Sequence, residues 1–185
     1  FGGKIFNVLV FQKVALPVKT GSLKIGPCRF TFTHATPRGR GFFQSYTYTD
    51  VKPIAPAVEV SVKPLPSEGK PEGFDGAVGS YKMDVIASPT NLTAGDPITL
   101  QVRFTGKGAL ENIRLPSFSD WKDFKVYPST DNVNYTDLAR RVGNRMFEQV
   151  VVPGKADISL PGFEFSFFDP ARGSYETLVQ PPLAL

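Results

Sequence analysis

The chain has 185 residues but only one cysteine and one histidine. A single cysteine excludes an internal disulfide. A single histidine excludes a two-histidine metal site and leaves His34 as the only imidazole for acid–base chemistry. No run approaches the roughly 18 consecutive apolar residues that a membrane-crossing helix needs. No segment keeps a helical apolar period over twelve or more residues. The opening Phe1-Gly2-Gly3 has neither a methionine nor a basic-then-apolar leader. It is what a chain cut from something longer would show.

What the chain has in quantity is glycine (17), proline (17) and phenylalanine (16). Many turn formers with many aromatics suit short strands joined by turns. Apolar residues make up 41% and charged ones 21%, an ordinary globular balance, and the net charge of +4 is modest. That charge bears on solubility and on weak attraction to anions, not on fold.

The chain also repeats itself. Phe147 to Phe168 reads FEQVVVPGKADISLPGFEFSFF, and Phe11 to Phe32 reads FQKVALPVKTGSLKIGPCRFTF. Phe11, Pro17 and Lys19 answer Phe147, Pro153 and Lys155. After a one-residue slip in the turn, Leu23, Ile25, Phe30 and Phe32 answer Ile158, Leu160, Phe165 and Phe167. A period this long marks a repeated domain, not a solenoid. The expectation is all-β: tandem immunoglobulin-like sandwiches, the first truncated at its N-terminal side.

Taken in order, alternation from Phe6 predicts a strand running to Leu16. Leu23 and Ile25, then Cys28, Phe30 and Phe32, predict further strands, with Thr36–Gly41 as a loop. Tyr46 and Tyr48, then Val58, Val60 and Val62, complete residues 1–63 as the C-terminal part of a first domain. Those strands alone leave an apolar face without a facing sheet. Residues 64–79 have the Pro/Gly content of a linker. Residues 80–185 are the second domain: Tyr81–Val85, Ile98–Phe104, Leu110–Leu115 and Phe124–Tyr127 as strands, Gly106-Lys107-Gly108 as a tight turn, then the repeated stretch and Tyr175–Leu185. The count suits an immunoglobulin-like sandwich. Phe165 and Phe167 are expected in its core.

Candidate chemistry is sparse. His34 has no nucleophile or orienting carboxylate near it in sequence, so no catalytic residue is assigned. Cys28 answers Phe163 in the repeat and reads as an apolar side chain, buried in a complete domain. Asp131, Asn132, Asn134 and Asp137 offer oxygens without the glycine and terminal glutamate of a calcium loop, so no metal and no cofactor is expected. Arg38 and Arg40 lie in a basic–aromatic run, Arg38–Phe43, that single-strand binders also use. One such run reads as a loop, and no nucleic-acid partner is expected. Trp121, with Phe118 in the same loop, is the candidate anchor for a partner, alongside Arg38 and Arg40. The alternative for Trp121 is packing over the end of the sandwich.

The order PLPSEGKPEGFDGAVGSY, AGDPITLQVRFTGKGALENIRLP, FKVYPS and VVVPGKADISLPGFEFSFFDPARGSYETL resembles the BatD, or oxygen-tolerance, family of bacteria. P-x-K-x-G-x-L-x-I-G-P after Leu16 looks like the end of that family's preceding domain. Ala109 stands where the family suggests Asn. The resemblance implies tandem immunoglobulin-like domains on the periplasmic side of the inner membrane and an anchoring helix elsewhere. It also implies no established catalytic residues, and a setting of MoxR-type ATPases and von Willebrand A-domain membrane proteins as protein partners. The expected function is a non-catalytic interaction module associated with aerotolerance. A carbohydrate- or ligand-binding sandwich is the alternative, and a groove of exposed aromatics would favour it.

Overall fold

The structure is a computed structural model that describes Val8 and residues 10–39, 44–118, 120–155 and 159–184. Among the described residues there is no α-helix. The fold is all-β and immunoglobulin-like, and the chain divides into two compact units. One is Pro17–Pro64; the other is Leu65–Leu185, with residues up to Leu16 grouped with it.

The Pro17–Pro64 unit is one long antiparallel hairpin. Strands β1 (Gly21–Ile25), β2 (Cys28–Arg29) and β3 (Phe32–Arg38) return through β4 (Ser45–Val51), β5 (Ile54–Ala55) and β6 (Val58–Val62). Gly21 faces Val62, Cys28 faces Ala55 and Arg38 faces Ser45. Each step forward on one arm is a step back on the other, so a single register runs through the breaks at Gly26-Pro27 and Pro53. Strand β3 runs through Thr36 and Pro37, where the sequence suggests a loop. Proline survives there because a two-stranded hairpin is all edge. Val10 to Leu16, expected as strand, carries no ladder; Phe6, Asn7 and Leu9 of that expected strand lie outside the described residues.

The other unit is a sandwich. Its larger sheet has the order β10 (Thr130–Asp137), β11 (Val142–Pro153), β8 (Ile98–Gly108), β7 (Gly79–Ser88), with β9 (Phe124–Val126) paired to the end of β11. Facing it is a second hairpin, β13 (Phe163–Asp169) with β14 (Ser174–Gln180), continued by β12 (Ser159–Leu160) with β15 (Leu183–Ala184). Period-two alternation sends Ile98, Leu100, Val102 and Phe104 inward, each at most 1% exposed. From the hairpin come Phe165 and Phe167, buried as expected. The Phe104 and Phe165 rings lie 4.5 Å apart and the Tyr81 and Phe167 rings 5.3 Å apart.

Two local readings are corrected. Gly106-Lys107-Gly108 is not a turn but the end of β8. Gly106 faces Tyr81 on one side and Gly143 on the other, and Gly143 faces Tyr135. A Cβ on Gly106 would run into the backbone of Ser80 and Tyr81, so this close strand approach requires glycine. Leu110–Leu115 is not a strand either. It begins as a 3-10 turn, Leu110–Asn112; Leu110 and the residue after the turn, Ile113, are buried in the core.

Candidate interaction surface

The residues first suspected as anchors fall in different places. Trp121 and Phe118 are 9% and 3% exposed, stacked at 4.4 Å, and Phe118 meets the Phe163 ring at 5.2 Å. Both rings belong to the core cluster of the sandwich, as packing would have them. Arg38 is exposed at the end of β3; Arg40 lies outside the described residues. His34 stands within β3, exposed, its Nδ1 3.1 Å from Thr36 Oγ1. Cys28 is exposed in this structure.

The densest polar cluster sits where the 3-10 turn crosses the large sheet. Arg145 occupies an inward position on β11, opposite Phe104 and Val133. Through Nη1 its guanidinium donates to the carbonyls of Leu110, Glu111 and Ile113 at 3.1, 2.7 and 2.6 Å. Through Nε and Nη2 it meets Asp131 Oδ2 at 3.0 and 2.8 Å. A planar cation with five donors suits this task, which a lysine could not match. Beside it, the Tyr135 hydroxyl accepts from Leu110 N at 3.1 Å and donates to Glu111 Oε2 at 2.6 Å. Arg141, in the left-handed region at φ 58°, lies 4.3 Å over the Tyr135 ring and pairs with the same carboxylate.

Burial pushes the Glu111 carboxyl up, but the hydrogen bonds from Tyr135 and Arg141 outweigh it and hold the carboxyl below its ordinary 4.5. Burial, and the bond to Glu111, raise the Tyr135 phenol; burial raises that of Tyr81 well above 10.0. Each of these shifted groups is engaged in holding a loop or packing the core. Sequence reading missed the cluster because its members are far apart in the chain. The one available signal was an arginine at an inward position of β11, two residues before the buried Phe147.

What remains open is the outer face of the large sheet. Register places Asp84, Arg103, Met146 and Asn132 in one row across it, and Ile86, Gln101, Glu148 and Thr130 in the next. Gln101 Nε2 donates to Glu148 Oε1 at 3.0 Å. A concavity of about 460 Å³ opens between β10 and β11, lined by Asp131, Asn132, Asn134, Asn144, Met146 and Glu148 among others. Its lining is amide, carboxylate and thioether. The rings of Trp121, Phe165 and Phe167 are in the core, so they do not supply the exposed aromatic groove that a carbohydrate reading asks for.

The class is therefore defined: an immunoglobulin-like sandwich whose perturbed groups serve the fold and whose broad polar sheet face is open. The family model described as the BatD DUF11 like domain matches residues 85–182, just over half of the chain. The chain belongs to the BatD family. No curated protein and no solved structure matches it.

Proposed function

We propose that the chain is a non-catalytic, extracytoplasmic protein-interaction module of a BatD-like membrane protein. On this reading it stands on the periplasmic side of a bacterial inner membrane, anchored by a helix outside these residues. It serves aerotolerance or envelope stress alongside MoxR-type ATPase systems, with von Willebrand A-domain membrane proteins as partners. The observation that carries the reading is the outer face of the β10–β11–β8–β7 sheet. Arg103 and Met146, residue types enriched at protein interfaces, sit side by side on a rigid support between opposite charges and amides.

The test is co-purification from envelope membranes with a von Willebrand A-domain protein of the same cell as bait. Arg103→Glu and Met146→Asp are expected to cut recovery by about tenfold each, the effect of losing about 1.4 kcal/mol at an interface. Undiminished recovery with both outer-face variants, or no association of the unaltered chain, overturns the reading.

A further inference from the structure

The large sheet ends in two unlike edge strands. Its β10 edge is broken by a register shift between Tyr135 and Asp137. Its β7 edge is regular: Gly79–Ser88 pairs with β8 residue by residue, from Gly79 opposite Gly108 to Ser88 opposite Thr99, without a bulge. The far side of β7 carries no ladder among the described residues. A trough of about 520 Å³ runs along it, lined in part by the consecutive residues Met83, Asp84, Val85 and Ile86. Consecutive strand residues point to opposite faces of a sheet, so what these four share in the trough is the open edge itself. A straight, unpaired edge is a template for another strand, and native chains deter such pairing with charge, lysine above all. Here Lys82 is exposed on the outer face, but Asp84 stands two residues on, exposed on the same face. Neither is in an ion pair among the described residues. The inner row is Tyr81, Met83, Val85 and Ala87, and the last three are only half-buried against the core.

We infer that the β7 edge is where the chain pairs with a second copy of itself, the two β7 strands running antiparallel about a two-fold axis at Met83. Charge sets the register. With Met83 opposite Met83, Lys82 of each copy faces Asp84 of the other, an opposite-charge pair made twice. On the same outer face Ser80 lies opposite the exposed Ile86, and on the inner face Tyr81 lies opposite Val85. Moving the axis by one residue either way sets Lys82 against Lys82 or Asp84 against Asp84, like charges directly opposed, which destabilises a strand pair. The same pattern chooses the occupant. Lys-x-Asp read backwards is Asp-x-Lys, the order an antiparallel partner must present, and the chain presents it. An edge that carries its own complement is what an isologous contact requires, since every contact in it occurs twice. The pairing joins the large sheets of two copies into one and covers the half-buried Met83 and Val85 from the side. The inference does not rest on the interaction reading above. Self-association is a property of the purified chain, whatever its outer face binds, so either can fail without the other.

Sedimentation equilibrium of the purified 185-residue chain is expected to show monomer and dimer in exchange, with dimer prominent by about 100 µM. Lys82→Glu and Asp84→Lys each make both charge pairs repulsive, because the two-fold axis doubles every change. Each should weaken the dimer by about tenfold or more. The double variant, Lys82→Glu with Asp84→Lys, restores both attractions with the signs exchanged and should recover the affinity of the unaltered chain. Both side chains are exposed, so the fold should tolerate all three variants, and unchanged Trp121 fluorescence checks that it does. A crosslink gives a second measurement. In a Cys28→Ser background, Met83→Cys should form a disulfide-linked dimer under mild oxidation, since directly opposed strand residues stand about 4.5–5.5 Å apart. Val85→Cys, which faces Tyr81 and not its own counterpart, should not. A chain that stays monomeric overturns the proposal, as does a dimer indifferent to the single reversals. So do single reversals that the double variant fails to rescue, or crosslinking through Val85→Cys as efficient as through Met83→Cys.

Discussion

At the residue scale, the polar groups of the sandwich do structural work that the charge count conceals. Arg145 donates to three carbonyls in and just after the 3-10 turn, those of Leu110, Glu111 and Ile113, and so ties it to β11. Arg145→Lys keeps the charge but not the planar fork, so it should cost about 2 kcal/mol of stability, read from a urea melt followed by the fluorescence of Trp121. Full stability in Arg145→Lys would show that the fork is dispensable. Glu111 makes a second, pH-dependent case. Its folded-state value lies below the ordinary one, so the stability it contributes is present above the unfolded value and lost as pH falls through the folded one. Glu111→Gln should therefore flatten the decline in stability between about pH 5 and about pH 3. The change should be modest, since the carboxylate is 49% exposed and screened by water. The tyrosines act at the other limit with the opposite sign. Tyr81 and Tyr135 stay neutral in the fold above 10.0 while the unfolded chain ionises. Their contribution is whole below that value and is lost as pH rises beyond it. Tyr135→Phe should flatten the alkaline limb, at the cost of a lower plateau near neutrality because Leu110 N loses its acceptor.

At the scale of the element, the repeated hairpin allows one substitution to be made in two settings. Phe167→Ala removes a ring packed on Tyr81 and should cost about 3–5 kcal/mol. Phe32→Ala, at the equivalent position but half exposed, should cost less than about 1 kcal/mol in the purified chain and leave the Trp121 transition where it was. Equal losses would mean that the two hairpins are not the same element. Much of this was legible in the sequence. Strict alternation from Ile98 to Phe104 and from Phe163 to Phe167 identified inward rows, because a strand with one buried face must alternate. The repeat marked one arm of each hairpin, Leu23 to Phe32 and Leu160 to Phe167, but not its return arm. What escaped was set by distant contacts. Gly106 reads as a turn residue until Tyr81 is seen across from it. The apolar Leu110 and Ile113 read as strand until Arg145 and Tyr135 are seen to hold their backbone in a 3-10 turn. Trp121 between two aspartates reads as surface, yet its ring stacks on Phe118 and shares its burial. Neighbours in sequence do not reveal which way a loop side chain turns.

At the scale of the molecule, the question is where independent folding begins. The division falls between Pro64 and Leu65. The stretch expected as a linker, residues 64–79, is fastened to the sandwich over most of its length. Tyr175 Oη donates to Pro66 O at 2.6 Å, Phe74 meets the Tyr175 ring at 5.0 Å, and Phe168 N donates to Ala77 O at 2.9 Å. Val78 forms a parallel bridge with Phe168, and Tyr81 Oη donates to Val78 O at 2.8 Å. Ala77 is 3% exposed. Losing that burial together with these bonds would cost about 2–3 kcal/mol, a large part of the stability a domain of this size has. By contrast, no described residue from Pro17 to Pro64 is fully buried, and an isolated two-stranded hairpin is marginal in water. The expected outcome is therefore graded. A chain of residues 65–185 should unfold in one cooperative transition with the midpoint of the full chain. A chain starting at Gly79 should fold with a clearly lower midpoint. Residues 17–64 alone should show no cooperative transition. Urea melts followed by Trp121 fluorescence for the first two, and by far-ultraviolet circular dichroism for the third, decide the matter. An unchanged midpoint on removing 65–78 would show that the segment merely lies on the sandwich. A cooperative, monomeric 17–64 would show that the exposed apolar face of its hairpin can do without a cover.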